Sequence, residues 1–581
     1  MGKTLAKLQE NTWRYFMNRI GFGAVALTLF VASVSAQDFL PPPEFGTVQD
    51  EAEPELKALQ EADGELKTIT GAHISAENKD ESALLSKNGG SLSVSGSQIK
   101  KIGDSTNDGQ SNFYGLNAAV VAKEGSSITL SGVEIESDAD GSNAVFATGS
   151  GAKINAKNLK ISTKQNSSRG LDATYGGEVI AENVDITTEG AHSAAFATDR
   201  GEGFISVSGG SAKTSGEGSP VIYSTGDISV KNITGLAKGS EIAVIEGKNS
   251  IKIENSSLEG SGPAGIMLYQ SFSGDAGIGE SSLVVRSSTL KSNSKGAFFY
   301  ITNTKSKIDI SNTNLDFTSP VLLRASGNNS ERGWGRRGAN GGTVDFSANN
   351  QSLSGSIECD EISAVNLNFG DKTRFSGAIN SENEGRVNLS LSKSAVISLT
   401  ADSFVDVISD SDAKFRNIES NGHNLYYNKT APENKKLKGK TVKLAGGGKL
   451  IGIEVQRKET KKHDDMPRRN EPMGEPFELE TLSGTVKISG GDIVLVKNDE
   501  SEIILEIAKA PKMDKKPEEK PDGKNMPMKA PNGKQGKEPP SPPKMLTEEE
   551  LRALSGLNVE LKGFSDKEIS DKFIVLFVSK K

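Results

Sequence analysis

The sequence predicts an all-β fold, a right-handed parallel β-helix with three strands per coil and a small β-rich C-terminal region. Short apolar stretches recur along the chain, and the Thr residues that follow four of them (Thr148, Thr174, Thr198 and Thr225) are 26, 24 and 27 residues apart. Between these stretches apolar and polar residues alternate with period two, which is typical of strands with one buried face. Short strands repeated at this period, with turns rich in Gly, Ser, Asn and Asp, indicate a solenoid.

Residues 1–36 have the features of a secretory signal peptide. Lys3 and three further basic residues accompany an apolar run from Ile20 to Val34, and small residues before Gln37 offer a cleavage site. An uncleaved anchor is the alternative, but a spanning helix needs about 20 apolar residues. We therefore expect export through the Sec pathway, a secreted or cell-surface location and no transmembrane segment in the mature chain.

Residues 37–67 are interpreted as an N-terminal linker followed by a capping helix. The segment Glu53–Glu61 contains several strong helix formers. Because the end of a solenoid exposes unpaired strand edges, a short helix there would cover the first coil.

The parallel β-helix is predicted for residues 68–455. One element of each coil is a short aliphatic or aromatic stretch, such as Ala144–Ala147 or Ile266–Tyr269. The other two elements alternate, as in Ile154–Ala156 and Leu159–Ile161. Coils stacked about 4.8 Å apart, roughly a dozen to fifteen of them, predict a rod on the order of 60–70 Å long.

The C-terminal region is divided into three segments. Residues 456–508 are predicted to form β-rich strands, and residues 509–546 to form a disordered linker because Pro and Lys dominate them. Residues 547–581 are predicted to form a small helix-plus-strand tail, with a capping box at Thr547–Glu550 and strands at Val559–Leu561 and Phe573–Val578. We expect the tail to fold back on the preceding β-rich segment.

Composition excludes several classes of function. The net charge of −8 over 581 residues argues against a nucleic-acid partner. The four His residues are far apart and have no Cys partner at metal-ligand spacing; the single Cys359 is expected to be buried and inert. No phosphate-binding glycine loop opens a helix. We expect neither a metal nor a cofactor, and the sequence leaves the oligomeric state open.

Several segments carry a family resemblance: Val221–Val230, Val244–Asn249, Gly333–Gly335, Ala339–Gly342, Phe375–Asn380, Asn417–His423 and Leu425–Tyr427. In them the chain resembles uncharacterised bacterial exported right-handed parallel β-helix proteins of the pectin-lyase-like superfamily, which are adhesin-like. The resemblance covers roughly residues 68–453 and implies an architecture. It implies no catalytic residues, because that group has no established activity to transfer.

One insertion offers a candidate ligand site. Residues 324–342 hold Trp334, the only Trp of the predicted mature chain, together with Arg332, Arg336 and Arg337. An exposed indole beside guanidinium groups suits a sugar ring that carries a carboxylate or sulfate. The alternative is that Trp334 packs flat over the coil beneath it and the arginines are solvated.

These observations predict an exported, non-enzymatic, adhesin-like surface or secreted protein that binds a glycan or a host or cell-surface protein. The alternative is a polysaccharide lyase or glycoside hydrolase of the β-helix type, which requires carboxylates held close together. Two acidic groups are candidates, and both also suit turns: Asp138 with Asp140, and Asp406, Asp410 and Asp412. We find no acidic pair that recurs at the one-coil spacing on the same strand. A groove lined by two carboxylates and an Arg or Lys from adjacent coils would favour the enzyme.

Overall fold

The computed structural model describes residues 52–271, 273–328, 334, 338–455, 480–489, 492–497, 501–507, 555, 557–565 and 572–580. The predicted signal peptide and Pro/Lys-rich linker lie outside the described residues, as do Arg332, Arg336 and Arg337. The chain divides into two compact units, one at residues 36–466 and one that includes residues 467–581.

The first unit is a parallel β-solenoid of about 16 turns, which confirms the predicted fold class. Sheet A is a parallel sheet of twelve strands that stack in chain order, one from each coil. Its strands are β1 (Lys57–Asp63), β4 (Glu81–Lys87), β7 (Val120–Ala122), β10 (Val145–Thr148), β12 (Leu171–Thr174), β14 (Phe196–Thr198), β16 (Ile222–Ser224), β18 (Ala243–Glu246), β21 (Ile266–Tyr269), β24 (Phe299–Thr302), β27 (Val321–Ala325) and β30 (Ser356–Cys359).

Sheet B is the second column of parallel strands and continues to the far end of the rod. Its strands are β2 (Leu66–Thr70), β5 (Ser91–Ser95), β8 (Ser127–Ser131), β11 (Lys153–Thr163), β13 (Glu178–Thr188), β15 (Phe204–Thr214), β17 (Asp227–Ala237), β19 (Ser250–Glu254), β22 (Glu280–Arg286), β25 (Lys305–Ser311), β28 (Thr343–Asn349), β31 (Ala364–Phe369), β33 (Arg386–Leu391) and β36 (Val407–Asp410).

The third column, sheet C, shares the long strands β11, β13, β15 and β17 with sheet B and resumes later as a separate four-stranded sheet. Its own strands are β3 (His73–Ala76), β6 (Gln98–Lys101), β9 (Glu134–Ser137), β20 (Ser257–Gly260), β23 (Thr289–Ser292), β26 (Asn314–Phe317), β29 (Ser352–Ser354), β32 (Arg374–Gly377), β34 (Val396–Leu399) and β37 (Ile418–Glu419). The last coils hold β35 (Ser403–Val405), β38 (Leu425–Asn428), a 3-10 helix (Pro432–Leu437), β39 (Val442–Lys443) and β40 (Lys449–Ile453).

The bends between sheets B and C use Asn residues with left-handed backbone, a conformation that Asn tolerates better than most residues. The Asn residues with positive φ at these bends are Asn158, Asn183, Asn232, Asn255, Asn312 and Asn350. Asn183 Nδ2 donates a hydrogen bond to Asn158 Oδ1 at 2.8 Å, and Asn350 Nδ2 donates to Asn312 Oδ1. Stacked Asn side chains at these turns therefore hydrogen-bond from one coil to the next.

The interior of the solenoid is one continuous apolar cluster made by the inward residues of all three faces. In-register pairing places similar side chains above one another. One such stack in sheet B is Ile128, Ile154, Val179, Ile205, Ile228 and Ile251. Cys359 is buried in this cluster, as the sequence predicted.

The predicted capping helix is wrong for the residues that the structure describes. Residues 57–63 form β1, which pairs in parallel with β4, and Leu56 packs with Leu85 and Phe146. These residues form a strand despite their helix propensity, because the open edge of the sheet offers hydrogen-bond partners to a full row of backbone groups. That gain outweighs a weak local preference for helix. The short helix α1 (Asp108–Tyr114), which the sequence did not predict, begins after Asn107 and ends at Gly115, whose φ is 75°.

The second unit is a closed barrel of five strands in the order β41-β42-β43-β45-β44. They are β41 (Glu480–Ser489), β42 (Asp492–Lys497), β43 (Glu502–Ile507), β44 (Asn558–Ser565) and β45 (Lys572–Lys580). The predicted segments 456–508 and 547–581 thus contribute strands to one barrel, which confirms that the tail folds back on the preceding strands. The helix predicted to begin at Thr547 lies outside the described residues.

Candidate functional site

Trp334 is largely buried, with 9% of its surface exposed. Its ring lies 4.2 Å from the ring of Tyr269, centroid to centroid, and packs with Val244 and Met267 on the outer face of sheet A. Asn340 Nδ2 also donates to the Trp334 carbonyl at 2.8 Å. In this structure Trp334 has the packing of a lid rather than of an open stacking platform. Ligand binding by Trp334, Arg332, Arg336 and Arg337 stays a prediction.

The same outer face of sheet A holds a buried ion cluster, which we define as Arg169, Asp172, Asp199, Arg200, Glu246 and Asp275. Arg169 contacts two carboxylates of the cluster: its Nη2 lies 2.9 Å from Asp199 Oδ2, and its Nη1 lies 3.5 Å from Asp172 Oδ2. Arg169 Nη1 also donates to Asn112 Oδ1 of α1 at 2.8 Å. Asp172 is fully buried, and neither of its carboxylate oxygens accepts a well-formed hydrogen bond from the described residues.

Arg200 extends the cluster to a segment that follows β21. Its Nη2 donates to Asp275 Oδ1 at 2.7 Å and its Nε donates to the same oxygen at 3.1 Å. The guanidinium carbon also lies 3.9 Å from the centroid of the Phe113 ring in α1. Arg169 and Arg200 therefore attach both α1 and the segment around Asp275 to the outer face of sheet A.

Glu246 completes the cluster and is surrounded by hydroxyl groups. Tyr223 and Tyr269 donate to its Oε2 at 2.9 and 2.8 Å, and Ser271 and Ser273 donate to its Oε1. Burial raises the pKa of Glu246, although the hydroxyl groups of Ser271, Tyr269 and Tyr223 favour its charged form.

The charged groups of this cluster pair with one another and with other groups of the chain. Burial raises the pKa of Asp172 and of Asp199, while the Arg169 guanidinium opposes both shifts. Perturbed carboxylates are common in active sites, but buried ion networks with a structural role perturb pKa values in the same way. Because the partners of these carboxylates are groups of the chain itself, we interpret the cluster as a clamp that fixes covering segments on the solenoid.

An open site lies on the outer face of sheet B, further along the rod. It is a cleft of about 580 Å³ lined by outward residues of β25, β28, β31, β33 and β36. We call it the sheet B cleft, and two rows of in-register side chains form its floor. The first row is Lys307, Asp345, Asn366, Asn388 and Val407; the second is Asp309, Ser347, Asn368, Ser390 and Ser409.

Short polar side chains explain why this face is hollow. Earlier coils carry long pairs on the outer face of sheet B, such as Lys153 with Glu178 and Lys157 with Glu182. From β28 onward the corresponding positions are mainly Asp, Asn and Ser, which do not fill the space above the strands.

Hydrogen bonds run along the first row of the cleft. Asn388 Nδ2 donates to Asn366 Oδ1 at 2.8 Å, and Asn366 Nδ2 donates to Asp345 Oδ1 at 2.5 Å. Asn388 Oδ1 is buried and accepts no hydrogen bond from the described residues. At one end, Arg286 holds Asp309 through two hydrogen bonds of 3.1 and 2.8 Å, and Lys307 pairs with Glu280.

Asp309 and Asp345 of adjacent coils line the same cleft, although the register pairs neither carboxylate with the other. Asp309 and Asp345 are 36 positions apart because the 324–342 insertion lengthens this coil, and the register offsets them by two residues. Asp309 is the middle residue of the alternating triplet Ile308–Ile310, and Asp345 is the middle residue of Val344–Phe346. Because alternation turns the middle residue of such a triplet outward, the sequence pattern already indicated that both carboxylates lie on the outer face.

The acidic candidates named from the sequence do not assemble into a site. Asp138 accepts from Gln165 Nε2 at 2.7 Å and pairs with Lys164 of the next coil. Asp412 pairs with Arg416 within its own turn at 2.9 Å, and Asp406 accepts from the Val387 amide at 3.0 Å. These contacts stabilise turns and neighbouring coils.

Among the described residues, no group of three His, Cys, Asp or Glu side chains is arranged to hold a metal ion. No helix within the described ranges is both long and apolar enough to cross a membrane. Comparison with protein-family models, curated proteins and solved structures finds no match for this chain. The fold alone therefore defines its class, which is that of the parallel β-solenoid proteins.

Proposed function

We propose that this protein is an exported, adhesin-like β-solenoid that binds a glycan through the sheet B cleft and catalyses no reaction. The single observation that carries the proposal is the cleft itself, an open surface over five strands whose outward side chains are polar except for Val407. Amide and hydroxyl side chains both donate and accept hydrogen bonds, as sugar hydroxyl groups do. The predicted signal peptide and the resemblance to bacterial exported β-helix proteins support a secreted or cell-surface location.

A glycan array probed with the mature chain, residues 37–581, tests this function, alongside a cell-binding screen. We expect binding to a defined set of glycans that is weakened by the double variant Asn366→Ala/Asn388→Ala. The matched control is Asn155→Ala, since Asn155 lies on the outer face of sheet B in β11, outside the cleft. Absence of binding in both screens would contradict the proposal.

A second candidate is a polysaccharide lyase or glycoside hydrolase acting in the same cleft. The observation that favours it is that Asp309, Asp345 and Lys307 come from two adjacent coils and line one groove. Two carboxylates can act as acid and base in glycoside hydrolysis, and a lysine can abstract a proton in an elimination. Against it, Arg286 holds Asp309 and Glu280 holds Lys307.

Incubation with acidic and neutral polysaccharides separates binding from catalysis. Elimination products are detected by the ultraviolet absorbance of the new double bond, and hydrolysis products by their reducing ends. Turnover that Asp345→Asn abolishes would establish the enzyme. Glycan binding without either product would leave the non-enzymatic function.

A further inference from the structure

We propose that the sheet B cleft takes an extended polysaccharide without acidic groups, with its chain parallel to the rod axis. This inference rests on the proposed glycan-binding function and adds the ligand class and its direction. Three features of the cleft carry it: its outline, its repeated hydrogen-bonding groups and its charge.

The outline of the cleft sets the direction of the chain. The cleft crosses five strands about 4.8 Å apart, which makes it roughly 19 Å long along the axis. Along each strand it includes two outward residues, such as Asn366 and Asn368, which lie about 7 Å apart. A linear ligand therefore contacts the most residues when it crosses the coils one after another.

The second row of the floor presents short polar groups along that direction, namely Ser347, Asn368, Ser390 and Ser409. Asn366 pairs in register with Asn388, and Asn368 pairs in register with Ser390. From β28 to β36, a polymer that repeats a polar unit at close to the coil spacing meets an amide or hydroxyl group of the second row at each step.

The charge of the cleft selects against acidic sugars. The lining side chains carry one positive charge, on Lys307, and two negative charges, on Asp309 and Asp345. Lys307 shares Glu280 with Lys305, and Asp309 is paired with Arg286. Asp345 lies between Lys307 and Asn366 in the first row, and its Oδ1 accepts a hydrogen bond from the neutral amide of Asn366. A ligand carboxylate placed there would face a like charge, which costs binding free energy.

Isothermal titration calorimetry of the mature chain with two series of oligosaccharides tests the inference. One series contains neutral gluco-, manno- and xylo-oligosaccharides from the disaccharide to the hexasaccharide, and the other contains galacturonate oligosaccharides of the same lengths. We expect at least one neutral series to bind, with affinity that rises with length until the ligand spans the cleft. Galacturonate ligands of equal length should bind at least about tenfold more weakly at low salt.

Four variants locate the effect. Asn366→Ala and Asn388→Ala should each weaken neutral binding about three- to tenfold, as expected for one lost hydrogen bond. Asn155→Ala should leave binding unchanged. Asp345→Asn should raise the affinity for galacturonate ligands about tenfold relative to the neutral series, because it removes the like charge. Melting temperatures measured on the same samples exclude unfolding as the cause.

Each contrary result has a separate meaning. Preferential binding of galacturonate overturns the assigned ligand class and leaves the glycan-binding function in place. Equal affinity for disaccharide and hexasaccharide overturns the axial direction. Equal losses in Asn388→Ala and Asn155→Ala overturn the cleft as the site. Absence of binding to every glycan overturns the proposed function and this inference together.

Discussion

The outer faces of sheets A and B use acidic side chains in opposite ways. On sheet A, Asp172 and Asp199 lie beneath α1 and the segment around Asp275, and Arg169 is held between them. On sheet B, Asp309 and Asp345 lie in an open cleft with nothing of the described chain packed above them as a cover. The same backbone thus supports a structural ion cluster in one region and an accessible polar surface in another.

The difference follows from what lies over each strand rather than from the strands themselves. Both faces present outward side chains at alternate positions of short parallel strands. The coils near Asp172 are covered by α1, so their charges lose water and need internal partners. The coils near Asp345 carry short side chains and keep water, so their polar groups remain available to a ligand.

The largest effect that tests this comparison is expected for Arg169→Met. The substitution leaves Asp172 and Asp199 buried without their cation, and a broken buried ion pair costs about 3–5 kcal/mol. Thermal or urea unfolding followed by circular dichroism measures the loss. A loss below about 1 kcal/mol would mean that the cluster is solvated, and the distinction between the two faces would fail.

A second test uses pH and the variant Asp172→Asn. Burial raises the pKa of Asp172 from 3.8 to about 7. Between these values the folded chain keeps a proton that the unfolded chain has lost, so the contribution to stability is full at low pH and falls as the pH rises towards 7. The contribution is at most about 4 kcal/mol.

Melting temperatures recorded between about pH 4 and pH 7 should therefore fall more steeply for the wild type than for Asp172→Asn. The variant keeps the shape of the side chain and removes its titration. Identical profiles for the two proteins would show that Asp172 is not the group responsible.

The regular part of the fold could be predicted because the sequence repeats its own physical requirements. Inward aliphatic residues at alternate positions, as in Ile154–Ala156, and Asn at the bends specify a stacked coil without reference to distant residues. The first strand was missed because residues 57–63 favour a helix locally, and only the exposed edge of β4 makes a strand better.

The two sites could not be predicted in the same way. Asp172 lies within an aliphatic stretch, and its burial on the outer face depends on α1, which is distant in sequence. The sheet B cleft depends on which side chains become neighbours across coils of unequal length, as Lys307 and Asp345 do. Local patterns identify strands, whereas contacts across insertions require the register.

A third test decides whether Trp334 is a structural residue, like the covered groups of sheet A, or part of a ligand site. Trp334→Ala should lower the stability of the solenoid by about 3 kcal/mol, because a large buried ring that packs on Tyr269 is removed. Binding of glycans in the sheet B cleft should stay unchanged. An unchanged melting temperature with weakened glycan binding would instead make Trp334 the ligand platform that its sequence context suggested. Trp334→Phe serves as the conservative control.

The smallest effect is expected for Arg286→Met, the counterpart of Arg169→Met on the open face. The side chains of Arg286 and Asp309 are 38% and 41% exposed, so water solvates each partner when the other is removed. Exposed pairs contribute about 0–1 kcal/mol, and salt screens them. Melting temperatures at low and high ionic strength should differ little between wild type and Arg286→Met, and the small difference should vanish at high salt. A salt-independent loss as large as that of Arg169→Met would show that the sheet B cleft is closed to water, and the contrast between the two faces would then lose its physical basis.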